Sequence, residues 1–314
     1  MVQAVIFSIA TLQLLFRRFD VIEADQIPVL QVFPLRVVAT LKRAKLVVSW
    51  HEVWGREYWC EYLGRLGPVA ARIESSAAML PDRLLPGTAA IARRLEAMRV
   101  EPSKITVLPH GVDRIRLNAV RASELAPDLL FVGRLLAHKR CDVVIQATAQ
   151  LRRSNLDVRL GIVGRGPELV RLEELAHRLD VAEVVTFHGE IEDNEEMWGL
   201  MKGALVLAFP SEREGFGLTV AESLALGTPV VCGDHPDNEA RHLVDDGVDG
   251  AVVAAGDFRG FAAAIQSWIS RRPGNEEISS AFWSRHASLD WDLTTATYAA
   301  QLSRDMSKRR RHDR

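Results

Sequence analysis

The chain has 314 residues, 48% of them hydrophobic and 25% charged, with ordinary glycine and proline usage. That composition fits a soluble globular protein of one large or two medium domains. Lys and Arg number 39 against 41 Asp and Glu, a formal net charge of −2, so no global basic field points to nucleic acid as a partner.

The first segment, "MVQAVIFSIATLQLLFRRFD", is apolar up to Phe16. It is too short to span a bilayer and no small-residue cleavage site follows, so it reads as a buried helix. Short apolar runs then alternate with amphipathic stretches, the βαβ rhythm of a parallel sheet covered on both faces. In the first half the strand candidates are "FDVIEAD" (19–25), "KLVVSW" (45–50), a weaker "ESSAAML" (74–80) and "KITVLP" (104–109), with a helix over 87–98. After "PHGVD" a polar, irregular piece up to Pro127 suggests an interdomain linker. Six cleaner strands follow: "DLLFVG" (128–133), "DVRLGIVG" (157–164), "VVTFHG" (184–189), "ALVLAFP" (204–210), "PVVC" (229–232) and "GAVVAA" (250–255). Helical stretches separate them, and "DWDLTTATYAAQLSRDM" reads as a closing helix. Cys60, Cys141 and Cys232 are scattered and form no CxxC, which argues against a disulfide framework or a zinc site and for a reducing cytosol. The basic run "SKRRRHDR" (307–314) is either a solvated tail or a weak anchor to anionic lipid.

In open α/β sheets ligands sit beyond the carboxyl ends of the strands. Gly133-Arg134, Gly164-Arg165-Gly166, Ser211 to Gly217 and Gly233-Asp234 all fall there. The stretch "FPSEREGFGLTVAESLALGTPVVC" sets two glutamates, Glu214 and Glu222, around a Gly-Phe-Gly turn at a helix mouth. Gly215 and Gly217 allow close backbone approach, and the helix N-terminus favours an anion such as phosphate. Carboxylates there make sense if they hold neutral hydroxyls on either side of the anion: Glu222 a ribose, Glu214 a second polyol. Otherwise they are two solvated surface acids. Cations come from "VGRLLAHKR", where Arg134 offers a planar fork and Lys139 a point charge. "GIVGRGPE" lacks the G-x-G-x-x-G spacing and is a weak dinucleotide fingerprint, though a reasonable ligand-side turn.

The ordered series "PHGVD", "VGRLLAHKR", "GIVGRGPE", "FHGEIED", "FPSEREGFGLTVAE" and "ALGTPVV" resembles glycosyltransferase family 4, over roughly residues 19–302 and more strongly in the C-terminal half. The resemblance implies an α/β protein with the GT-B arrangement of two Rossmann-like domains with parallel sheets. It implies domains at 1–122 (acceptor side) and 123–285 (donor side), with a closing helix and tail at 286–314. It also implies a retaining hexosyltransferase that uses a nucleotide-diphosphate sugar as donor substrate, with no cofactor. By position, Arg134 and Lys139 match the pair that neutralises the donor diphosphate, Glu222 the ribose ligand and Glu214 the contact to the donor sugar. The Gly215, Phe216, Gly217, Leu218 and Thr219 backbone would face diphosphate and sugar, with Gly166 in a neighbouring turn. Ile191 and Asp193 would border the base. "KLVVSWHE" aligns His51 with the family's active-site histidine; the alternative is a structural histidine at a strand end. The aromatic "HEVWGREYWCEYLG" is either an acceptor-side wall or an ordinary core contact. No Asp-x-Asp pair suited to Mg²⁺ is seen, so metal-independent transfer is expected, the basic pair taking the metal's role. The acceptor is a glycan, a lipid-linked or a small molecule, and the implied location is the cytoplasm, with peripheral membrane contact as a further option.

Two departures stand out. Arg140 follows Lys139 where the family commonly has glycine, and either tightens the loop or adds a phosphate contact. The chain also begins without the leading strands and Gly-rich loop usual in the family, so either the true start lies upstream or the first domain is abbreviated. Lower stability or activity than in a full-length relative is then expected, unless a partner covers the gap. The competing readings are a nucleotide-sugar-binding protein without turnover and a GT-B-like sugar-nucleotide epimerase.

Overall fold

The structure, a computed structural model, describes residues 2–312, with side chains over residues 3–303. The chain divides into two units, one formed by Met1–Pro109 with Thr294–Arg314 and the other by His110–Leu293. The division falls after Pro109, ahead of the linker suggested by the polar stretch, because "PHGVD" is tied into the second unit. Val112 N donates to Leu289 O at 2.7 Å, and Trp291 N to Val112 O at 3.0 Å. The basic run at 307–314 lies outside the residues with described side chains.

In the first unit the order is α1 (Val2–Ala10), β1 (Val21–Asp25), α2 (Val32–Lys42), β2 (Lys45–Trp50), α3 (Gly55–Leu63), α4 (Gly67–Met79), β3 (Arg83–Pro86) and α5 (Ala89–Ala97). The sheet is parallel, ordered β1-β2-β3. Its centre is β2, where Leu46, Val48 and Trp50 are fully buried, as an uninterrupted apolar run in a two-sided parallel sheet requires. Thr88 caps α5 by accepting from Ile91 N at 3.2 Å.

Three expectations change here. "ESSAAML" is the end of helix α4 rather than a strand: its alanines carry no β-branch, and Pro68 sits at the helix start. The strand in that place is β3, whose Pro86 pairs in register with Trp50. "KITVLP" runs beside β3, with Thr106 N on Leu84 O and Leu108 N on Pro86 O, but forms a single bridge instead of a full strand. The N-terminal helix is not buried. Val5, Ile6, Phe7 and Ile9 are 45% to 62% exposed, since an all-round apolar helix laid on a surface can cover only one of its sides.

The second unit holds α6 (Arg114–Ala119), β4 (Leu129–Val132), α7 (Cys141–Arg153), β5 (Leu160–Val163), α8 (Leu169–Arg178), β6 (Val185–Gly189), α9 (Asn194–Gly203), β7 (Val206–Phe209), α10 (Leu218–Leu226), β8 (Val230–Asp234), β9 (Gly250–Ala254), α11 (Phe258–Arg271) and α12 (Asn275–His286). α13 (Trp291–His312) follows and is counted with the first unit from Thr294. All six expected strands are present in one parallel sheet, ordered β6-β5-β4-β7-β8-β9. From β4 the chain winds outward through β5 and β6, then returns past β4 to start again with β7. The crossovers leave β4 and β7 in opposite directions, and a crevice opens at their carboxyl ends. The loops 133–140 and 210–217 border that crevice. No helix among the described residues is long and apolar enough to cross a membrane.

Candidate active site

The two loops at the switch point are laced together. Glu212 N donates to His138 O at 2.8 Å, and Lys139 Nζ pairs with Glu214 Oε1. Behind them Asn238, fully buried, donates through Nδ2 to Ser211 O (2.9 Å) and Gly233 O (2.7 Å) and accepts from Ala240 N. One amide therefore ties the ends of β7 and β8 to the turn that follows, and fixes where Glu214 stands. Glu214 is held further through Glu214 N to Asp237 O and Glu239 N to Glu214 O, both 3.0 Å.

Gly217 is the N-cap of α10 at φ +93°, and no side chain caps the helix. Val220 N and Ala221 N return to Gly217 O, while the N–H groups of Leu218 and Thr219 open the helix without an intrahelical acceptor. Two amides therefore stand open at the mouth of α10, just after Gly-Phe-Gly. Gly217 is required twice over. Its φ is left-handed, and a Cβ would lie 2.2 Å from Ala240 Cβ and 2.9 Å from Ala240 Cα. Gly217→Ala should lower stability by about 2–4 kcal/mol, from left-handed strain plus overpacking against backbone. Urea unfolding at constant m-value checks this.

The two acids beside these amides are both muted electrically. Glu214 is neutralised by Lys139, in a pair whose side chains are only 14% and 13% exposed. Glu222, one turn into α10, has its carboxyl pushed up to about 7 by burial. The Trp198 indole is near enough to act weakly the other way, without reaching hydrogen-bond geometry. One acid is paired and the other is partly protonated near neutral pH, so the cations dominate. His138 reports that field: burial first, then Lys139, Arg213 and Arg134, bring its imidazole down to about 4. It is neutral at physiological pH.

The structure thus gathers Arg134, His138, Lys139, Arg213 and Glu214 at one edge of the sheet, with the Gly215–Thr219 turn beside them. Phe216 lies buried under that turn, edge-on to His110 at 5.1 Å, and Leu218 is exposed. Gly166 packs on loop 133–135, where a Cβ would lie 2.2 Å from Leu135 O. Ile191 packs against the core, and the Asp193 carboxylate caps α9 by accepting from Glu195 N at 2.8 Å. Arg140 adds no charge to the crevice. Its guanidinium is bound by Asp142 (3.1 Å) and Glu212, so it staples the two loops. Its φ of +51° is the left-handed conformation for which glycine is the easier residue.

His51 belongs to the first unit and follows β2. Its Nε2 meets Asp25 Oδ1, at the end of β1, at 2.9 Å. Gln26, 1% exposed, accepts His51 N (2.5 Å) and Glu52 N (3.1 Å) on Oε1 and donates to Glu52 O (2.6 Å). Asp25, Gln26 and Asn238 were missed in sequence. The signal available for the first two was a polar pair closing a strand beside the one that carries His51. All three cysteines are free, and no group of three or more His, Cys, Asp or Glu among the described residues could hold a metal.

Residues 117–282 match the family model described as glycosyl transferases group 1, and residues 3–111 match a glycosyl transferase 4-like domain. The chain belongs to the group 1 glycosyl transferases. Among the relatives of this group 1 member, D-inositol 3-phosphate glycosyltransferase of Geodermatophilus obscurus is 34% identical over 239 residues, 70% of this chain and 52% of that one. Glycogen synthase of Mycobacterium tuberculosis is 32% identical over 203 residues, 64% of this chain and 48% of that one. The chain spans about half the length of the curated relatives it matches. Anabaena Alr3699/HepE, solved in complex with UDP-glucose, superposes with a TM-score of 0.78 at 19% identity, covering 94% of this chain and 81% of that chain. Sucrose-phosphate synthase from Thermosynechococcus elongatus gives 0.74 at 20% identity, covering 92% and 74%. Both share the fold of this group 1 member: two parallel-sheet, Rossmann-like domains in the GT-B manner.

Proposed function

We propose that this chain is a retaining glycosyltransferase that moves a sugar from a nucleotide-diphosphate donor to an acceptor hydroxyl without a metal ion. The observation that carries the reading is the crevice at the β4/β7 switch point, where cations and free helix amides meet and both flanking acids are electrically muted. The UDP and UDP-glucose with which the Anabaena protein was solved support a nucleotide-sugar donor. The diphosphate lies on Arg134, Lys139 and the Leu218 and Thr219 amides. Glu222 accepts from ribose hydroxyls and Glu214 from those of the transferred sugar.

As the bond from the anomeric carbon to the diphosphate oxygen breaks, negative charge grows on that oxygen and is met by groups already in place. The acceptor oxygen bonds to the anomeric carbon from the same face, and its proton passes to the departing phosphate oxygen. Configuration is retained and no protein nucleophile is needed. The Asp25–His51 dyad acts on the acceptor side, Asp25 fixing the imidazole. His51→Ala should lower kcat by about 10²-fold with nucleotide Kd within twofold of wild type, and Asp25→Asn should move kcat the same way by less. Steady-state kinetics paired with calorimetry separates the two effects.

Thermal-shift screening against UDP-, GDP- and ADP-sugars, followed by NMR of the product anomer, tests the proposal. A rise in Tm with at least one donor and a retained anomer are expected. No rise with any donor, an inverted product, or a product formed from donor alone would refute it.

A further inference from the structure

The first unit contains a cavity of about 320 Å³ walled by Ile27, Leu30, Trp54, Trp59, Tyr62 and Ile73, with Gln26 and Glu74 at its base. The size is that of a small-molecule site. Its polar groups are already spent. Glu74, fully buried, accepts Trp54 N (2.9 Å), Gly55 N (3.0 Å) and Trp59 Nε1 (2.9 Å). Trp54 Nε1 donates to Glu52 at 3.1 Å. Gln26 is consumed by the backbone of residues 51 and 52. What faces the space is therefore mostly carbon, held in a fixed shape by a buried carboxylate that rigidifies the aromatic loop.

The cavity adjoins His51. Gln26 forms part of its lining and, by the same amide, positions His51, while Trp54 follows that histidine by three residues. A molecule presenting a hydroxyl at His51 would extend its unreactive part into this space. Charge decides what that part is. None of the thirteen lining residues is Lys, Arg or His, and the one acid among them is the buried Glu74 at the base. A phosphorylated group inside it would meet no cation and one buried carboxylate.

Resting on the glycosyltransferase reading, we infer that the acceptor carries an uncharged, apolar aglycone that occupies this cavity. The acceptor class thus differs from the inositol phosphate in the names of several relatives.

The test is calorimetry on the full chain with UDP present, using octyl β-D-glucopyranoside below its micelle threshold, phenyl and methyl β-D-glucopyranosides, and D-inositol 3-phosphate. Octyl or phenyl glucoside should bind at least tenfold more tightly than the methyl compound, and the phosphate should show no binding. The octyl-to-phenyl ratio tells an alkyl from an aryl occupant. Ala70→Phe, which fills the cavity, should abolish the difference while UDP affinity and Tm hold. Tyr62→Ser, at a side chain 64% exposed, serves if the filled variant fails to fold and should narrow the difference. Equal binding of methyl and octyl glucosides, tight binding of inositol phosphate, or a preference that both variants leave intact would overturn the inference. Loss of UDP binding alone would sink the donor reading and leave the glucoside ratio still informative.

Discussion

Lys139→Ala should cost about 3 kcal/mol of folding stability and, separately, weaken nucleotide-diphosphate binding by about 1–3 kcal/mol. The stability loss comes from Glu214, whose carboxylate is 14% exposed and would be left without its counter-ion. The affinity loss comes from the missing phosphate contact together with the unmasked negative charge beside it. The two effects separate in a double variant. Lys139→Met with Glu214→Gln leaves no unpaired charge and should regain most of the stability, yet still bind UDP poorly. Urea denaturation and calorimetry on the three proteins check this. A double variant that binds UDP like wild type would remove Lys139 from the donor site.

Glu222→Gln should stabilise the free protein at alkaline pH while impairing donor binding. Burial raises the folded-state carboxyl to about 7, above its unfolded value of 4.5. Between those values the folded state holds more protons, so the contribution of Glu222 to stability is most favourable below about pH 4.5 and is lost as pH rises through 7. Glutamine carries no charge to desolvate. The variant's advantage should grow from nothing near pH 4.5 to about 3 kcal/mol at pH 8 and above. UDP affinity should move the other way, with a loss of roughly tenfold because an amide accepts ribose hydroxyls less strongly than a carboxylate does. Tm against pH for both proteins reads the first effect. Parallel curves would mean that Glu222 is not desolvated as described.

Much of this was legible in sequence where physics acts locally. Strands β4, β5, β7 and β8 of the second unit and β2 of the first are apolar runs buried on both faces, a pattern that needs no tertiary knowledge. The strand β3 was hidden by Pro86, which ordinarily argues against a strand, and the Ala-Ala-Met that ends α4 took its place. Helix α12 was missed because Ile278, Phe282 and Trp283 give it only three buried positions in a polar run. The site divides in the same way. Gly-Phe-Gly before a helix announces an amide cradle, but the Lys139–Glu214 pair joins positions 75 apart and depends on strand order. Arg140 was ambiguous in sequence because one of its partners, Glu212, lies 72 positions away on the loop after β7. Gln26 bonds the backbone of residues 51 and 52, and Asn238 reaches Ser211 O 27 positions away, ties that no local pattern reveals.

The central claim is that a nucleotide diphosphate settles in the crevice where the loops after β4 and β7 meet. Amide chemical-shift mapping during a UDP titration tests it most directly. Perturbations should concentrate on Gly133–Arg140 and Gly215–Glu222 and fade in Lys139→Ala. Shifts confined to other segments, or none at saturating UDP, would contradict it.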